Sequence, residues 1–344
     1  MGLLDGVTVL DLSTVGPAAR ASRWLADYGA RVVKVGAPGG LQIEPPFYAY
    51  SAHRGMERVG IDLKSPDGLA SFLTIVAPAD VIIESFRPGV VDRLGIGYDA
   101  LHARNPRLVY CSTSGYGQSG PRSQWAGHDL NYLGVGGFLD CSGRGPDMRP
   151  PIPGATVADS AGGGMHAVMA ILAALVHRAS NGEGVYLDVA AADGVLALMA
   201  LAVDEYLAAG AVPGPGHGML TGRYACYDVY GCADGGWITV AAIEPRFWAN
   251  LCRAVGLDRW IEHQTDDDVQ DEIRGELAAV FRTRPREAWV ASLGAADTCV
   301  APVLSVPEVV EDEQYTARGA FIEATDADHG AFRQVGYVLA GSGR

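Results

Sequence analysis

The chain has little positive charge and no cysteine pattern. Its 344 residues hold 26 Lys and Arg against 40 Asp and Glu, a formal net charge of −14 at pH 7. Nucleic acids and anionic membranes both call for basic surfaces, so neither is an expected partner, although a local patch for one phosphorylated ligand stays open. The six cysteines (Cys111, Cys141, Cys226, Cys232, Cys252 and Cys299) form no CxxC pair. That spacing suits neither a zinc site nor a disulfide framework, and points to free thiols in a reducing, cytoplasmic setting. No apolar run reaches the roughly 18 residues of a membrane span. The opening "MGLLDGVTVLDLS" lacks the basic-then-apolar order of a signal peptide. The turn after the first strand pattern reads "STVGPAAR", which is no GxGxxG fingerprint, and neither a GxSxG elbow nor a Walker loop occurs.

What the chain does have is apolar content of 49% and 45 glycines, a composition that favours close-packed helices and strands. Over the first 125 residues strand and helix patterns alternate. "VTVLDLS", "ARVVKVG", "DVIIESF" and "RLVYCSTSGYG" read as strands; "AARASRWLADYG", "DGLASFLTIVAPA" and "VVDRLGIGYDALHARN" read as helices. Such alternation implies a parallel α/β sheet with right-handed crossovers. "DSAGGGMHAVMAILAALVHRAS" follows as a long helix capped by Asp159 or Ser160, and "GEGVYLDVAAADGVLALMALAVDEYLAAG" as a strand and another long helix. The expected organisation is a large α/β domain over 1–190 with a C-terminal return at 325–344. A linker helix and the Pro/Gly-rich "AVPGPGHGMLTG" occupy 191–227, and a small α+β domain covers 228–324, opening on a hairpin that turns at "ADGG".

Three residues could carry chemistry: His128 in "AGHDLNYLGVGG", Asp159 before a glycine run, and Glu244 in "AAIEPRFW". Each has a plain structural alternative. Asp is a common helix cap, a carboxylate before Pro245 suits a helix start, and a loop histidine can simply bond the backbone. The run "AGGG" resists a propensity argument, because each helical glycine costs about 1 kcal/mol relative to alanine. It makes sense where a ligand or another backbone must approach the helix closely. The helix start there also offers N–H groups suited to an oxyanion. Cations cluster in "HRGMERVGIDLK" (Arg54, Arg58, Lys64) and "ESFRPGVVDR" (Arg87, Arg93). Arg87 sits at the end of a strand, where open α/β sheets bind ligands.

These segments together resemble CoA-transferase family III, and within it the α-methylacyl-CoA racemase branch. The resemblance rests on "GVTVLDLSTVGPAARASRWLADYGARVVKV", "IDLKSPDG", "ADVIIESFRPGVVDRLGIGYDAL", "NPRLVYCSTSGYGQSGP", "GHDLNYLGVGG", "VADSAGGGMHAVMAILAAL" and "WITVAAIEPRFW". It implies a Rossmann-like large domain, a small α+β domain and an interlocked homodimer. It also implies an acyl-CoA substrate that carries its own coenzyme A, with no separate cofactor and no metal. His128 and Asp159 would be the two bases, with Glu244 supporting His128 from the other subunit. Arg87, Arg93, Lys64 and Arg54 would bind CoA. Two departures stand out: Gly36 and Ala37 replace an acidic residue and an arginine usual before the first "PGG", and the returning segment "VGYVLAGSGR" is short. The Gly-rich flap usual in the transferases after the first small-domain hairpin is missing from "AAIEPRFWANL". "GGGM", "VLALMALAV" and "GHGML" suggest an adaptable apolar surface for a long or bulky acyl tail, or plain core.

Overall fold

β-Branched runs become strands, and the crossovers between them set their order. The computed structural model describes residues 2–39, 53–144, 147–326 and 330–342. In it β1 (Thr8–Asp11), β2 (Arg31–Gly36), β3 (Glu57–Gly60), β4 (Val81–Glu84), β5 (Val109–Ser114) and β6 (Tyr186–Ala190) form one sheet in the order β3-β2-β1-β4-β5-β6. Every pairing is parallel. This is the doubly wound order, in which strand addition reverses between β1 and β4 and opens a crevice at the carboxyl ends of the strands.

The sheet is covered on both faces, which is why its strands are nearly all apolar. Val9, Val32, Ile83, Val109 and Cys111 pack with Ala21 and Leu25 of helix Pro17–Asp27 and Ala167, Ile171 and Ala174 of helix His166–Asn181. Leu10, Val33, Ile82 and Tyr110 face the opposite way, toward Phe72 and Val76 of helix Pro66–Val76 and Leu101. Each fully buried Val, Leu, Ile or Phe contributes about 1.5–3 kcal/mol, so the double cover fixes the strand ends that form the crevice.

Four details depart from the sequence reading. β3 was not foreseen, because its side chains are mostly exposed and give no apolar alternation. Residues 90–105 form two short helices, Val90–Arg93 and Tyr98–His102, because Gly95 between them takes a left-handed φ of 72° that no helix continues through. Residues 191–209 likewise break at Met199 into Ala191–Leu198 and Ala200–Ala209. Finally, the continuous helical segment Ala158–Asn181 is long and apolar enough by composition to cross a membrane, contrary to the expectation of no such run. Part of it is buried against the sheet, as a core helix would be.

The chain divides into two compact units: Met1–Phe138, Ile152–Leu201 and Glu313–Arg344 in one, Leu139–Pro151 and Ala202–Asp312 in the other. The return to the first unit thus begins at Glu313, ahead of β10 (Phe321–Asp326) and β11 (Gly330–Val335), which pair antiparallel with each other. Within the second unit β7 (Tyr227–Gly231), β8 (Trp237–Ala241) and β9 (Val300–Val303) make an antiparallel sheet. Its core gathers Trp248, Leu251, Ile273, Phe281 and Trp289. The β7–β8 hairpin turns through "ADGG", with Gly235 at φ 82°.

Candidate active site

His128 ends the loop that leaves β5 and precedes helix Asp129–Val135, where its backbone N–H donates to Asn131 Oδ1 at 3.0 Å. The residue is exposed. A cleft of about 540 Å³ is lined by His128 together with Arg20, Asp129, Tyr132, Thr156 and Asp159. A second cavity of about 670 Å³ shares Thr14, Val15 and His128 with it and runs past Val35, Gly36, Ala37, Ile61 and Lys64. His128 therefore stands where the two cavities meet, beyond the carboxyl ends of β1 to β5.

Asp159 is not a cap. The helix has already begun at Val157, and Asp159 lies inside a π-helical stretch, Ala158–Met165, that continues as helix His166–Asn181. π-Helical turns inside longer helices recur at functional sites. The Asp159 N–H donates to Asp129 Oδ1 at 2.8 Å, so one of the N–H groups at the helix start is already committed. Its Oδ2 lies 3.3 Å from Arg20 Nη1, and Arg20 Nη2 donates to Thr156 Oγ1 at 2.7 Å. Burial pushes the Asp159 carboxyl above the ordinary aspartate range and Asp129 adds to the rise, while Arg20 and His128 oppose it.

The glycine run serves helix packing. A Cβ on Gly162 would come within 2.8 Å of the Ala191 carbonyl oxygen, one on Gly163 within 2.5 Å of Pro17 Cβ, and one on Gly164 within 2.9 Å of the Trp24 ring. Of the two readings left open, another backbone rather than a ligand is what approaches. "GGGM" is then mostly interior rather than an acyl-binding surface, although Met165 remains 41% exposed. In the histidine loop the reason is similar: a Cβ on Gly127 would meet the Tyr132 ring, whose hydroxyl donates to the Gly127 carbonyl at 2.5 Å. Gly136 is pressed against Val195.

The basic residues separate. Lys64 lines the larger cavity. Arg87 and Arg93 are exposed, next in sequence to Phe86 and Leu94 of that cavity's wall. Arg54, expected among the CoA ligands, is instead a structural clamp. Its guanidinium grips both oxygens of Asp27 at 2.8 and 3.0 Å and donates to the Val335 carbonyl at 2.7 Å, which ties helix Pro17–Asp27 to β11. Only 11% of the side chain is exposed, and Nε, the donor its partners leave unused, is buried. Gly36 and Ala37 do line the cavity, so its wall carries no side-chain cation there. Beneath it the buried pair Lys34–Asp11, at 3.2 Å, joins the ends of β2 and β1.

Glu244 belongs to the second unit, where it is exposed and precedes helix Pro245–Val255 without making a side-chain cap. Sequence reasoning missed Arg20, Asp129 and Tyr132. Arg20 carried one usable signal, its place in the first turns of the helix after β1, which in a doubly wound fold faces the crevice. Among the described residues no group of three or more His, Cys, Asp or Glu could hold a metal ion.

A doubly wound sheet with an imidazole and a raised carboxyl in one crevice defines the class, and comparison with known proteins names it. The sequence profile of CoA-transferase family III matches residues 4–344, and the chain belongs to that family. It is 36% identical to human alpha-methylacyl-CoA racemase over 94% of this chain and 84% of that one. It is 31% identical to the succinate–glutarate CoA-transferase of Agrobacterium fabrum over 94% and 86%. Among solved structures a CAIB/BAIF family protein from Brucella suis superposes with a TM-score of 0.81 at 28% identity, covering 96% of this chain and 95% of that one.

Proposed function

We propose that the chain is a racemase, an isomerase inverting the α-carbon of 2-methylacyl-CoA thioesters by proton transfer through an enolate. The observation that carries this reading is that one cleft is lined by both His128 and Asp159. One base takes the α-proton, and the C–H electron pair moves into the thioester carbonyl to give the enolate. The other group, protonated beforehand, returns a proton to the opposite face, and the thioester bond is untouched. An imidazole titrates near neutrality and can serve in either direction. Burial raises the Asp159 carboxyl, which makes it a stronger base as the anion and a more populated acid at neutral pH.

Coenzyme A enters as part of the substrate, and Lys64, Arg87 and Arg93 are the cations we assign to it. We assign the active form to an interlocked homodimer in which Glu244 of the partner subunit orients the His128 ring. A second reading, CoA transfer, is favoured by the Asp159 Oδ1, which accepts no hydrogen bond among the described residues, and by the transferases among the relatives. There the carboxylate attacks the thioester carbonyl carbon, the C–S bond breaks, CoA leaves as thiolate and a mixed anhydride remains. That route does not use His128.

The test is α-proton exchange of a 2-methylacyl-CoA in deuterated water without any carboxylate acceptor. The racemase exchanges, and His128→Ala and Asp159→Ala each abolish racemisation while folding normally. Absence of exchange, with CoA passing to an added carboxylate in the His128→Ala variant, would establish the transferase instead.

A further inference from the structure

We propose that Arg20 is the positioning residue for Asp159, holding one carboxylate oxygen and leaving the other for the proton in flight. This rests on the proton-transfer reading. The geometry is built from three sides. Arg20 Nη1 meets Asp159 Oδ2 at 3.3 Å while Nη2 is anchored on Thr156 Oγ1 at 2.7 Å, so the planar guanidinium spans both residues. Asp129 Oδ1 holds the Asp159 backbone N–H at 2.8 Å. The glycine run makes the reach possible, because the Arg20 Cβ would lie 3.1 Å from a Cβ on Gly164. With the side chains of Arg20 and Asp159 only 20% and 17% exposed, solvent screens the pair weakly.

The charged groups acting on Asp159 are Arg20 from helix Pro17–Asp27, and His128 and Asp129 from the loop and helix that follow β5. Helix Ala191–Leu198, also packed against the π-helical stretch, adds none. Arg20 therefore has two effects that can be told apart. It aims the carboxylate, which governs kcat, and it keeps the anion accessible, which governs the acid side of the pH profile.

The experiment compares the full-length wild-type enzyme with Arg20→Gln and Arg20→Lys, following kcat, KM and the acid limb of α-proton exchange. Arg20→Gln moves the acid limb to higher pH by about one unit or more, the scale of an arginine beside an aspartate. It lowers kcat by about 10²-fold, as loss of alignment does, with KM nearly unchanged. Arg20→Lys returns the limb to the wild-type position because the charge is restored, but only part of kcat, because an ammonium cannot span both partners. A folded Arg20→Gln enzyme with the wild-type limb and kcat overturns the proposal. Should Arg20→Gln not fold, Thr156→Val takes its place: it releases the anchor and keeps the charge, so kcat falls and the limb stays. An unchanged kcat in that variant also overturns the proposal. Titration of Asp159 by carboxyl-carbon NMR separates this from failure of the racemase reading. Without any exchange, the Asp159 midpoint still rises in Arg20→Gln if Arg20 acts as stated, and does not if it does not.

Discussion

Gly163→Ala is the sharpest test of how the fold delivers Asp159. The added methyl would sit 2.5 Å from Pro17 Cβ and 2.7 Å from Pro17 Cγ, where ordinary contact is 3.4–4 Å. Pro17 opens its helix, and its ring cannot rotate aside. The two helices must therefore separate by about 1 Å, an overpacking that costs about 1–3 kcal/mol. Alanine's better helix propensity returns at most about 1 kcal/mol. The expected result is a net loss of about 1–2 kcal/mol in urea denaturation. Asp159 lies one turn before Gly163, so the same shift misaligns the carboxylate, and a displacement of that size lowers turnover by about 10²-fold. Gly275→Ala is the control. Gly275 is an exposed helical glycine with nothing within 4 Å of the added methyl, and alanine there should stabilise by about 0.5–1 kcal/mol. If Gly163→Ala were as stabilising as Gly275→Ala and kept full activity, close helix approach would not be why the run is glycine.

Arg54 and Lys64 should part company when each is replaced by alanine. Arg54→Ala leaves the nearly buried Asp27 carboxylate to Arg23 alone and should cost about 1.5–3 kcal/mol in denaturation, with KM for acyl-CoA unchanged; a KM defect without a stability loss would restore it to the CoA site. Lys64→Ala should raise KM several-fold and spare kcat, because a phosphate contact far from the reacting carbon stabilises ground and transition states alike. A Glu244→Ala chain refolded together with a His128→Ala chain should partly regain activity, because a site shared between subunits leaves one intact site in each mixed dimer. No recovery in dimers proven to be mixed would put both residues in one chain's site.

The strands were legible where burial on both faces wrote itself into the sequence. β1, β2, β4 and β5 are short β-branched runs bounded by Gly, Ser or Asp, and each was read within a few residues of its position. β3 was not, since an exposed edge strand leaves no apolar signature. His128 and Asp159 could be singled out because one sits in a glycine-flanked loop and the other before a run that propensity forbids. What the run was for could not be read, because its partners Pro17, Trp24 and Ala191 come from distant positions. The role of Arg20 was hidden for the same reason, with its partner 139 residues away, although its place after β1 pointed to the crevice. Arg54 was read as a phosphate ligand because a cation in a basic stretch looks like one until the carboxylate paired with it, 27 residues earlier, is found.

A single nucleophile and a pair of bases place different demands on the same crevice. Attack on a thioester needs one carboxylate oxygen at one carbon, and Asp159 on its π-helical turn offers that alone. Proton transfer across a carbon needs two groups held at a fixed separation, and these arrive on different elements, one after β5 and one before helix His166–Asn181. The bond between Asp129 and the Asp159 backbone joins those elements at the residue next to His128. A carboxylate at position 129 thus sets the spacing of the pair without touching the reacting carbon, while Arg20 sets the direction of the Asp159 side chain from the opposite helix. On the racemase reading both restraints act on the group that shares the proton transfer with His128.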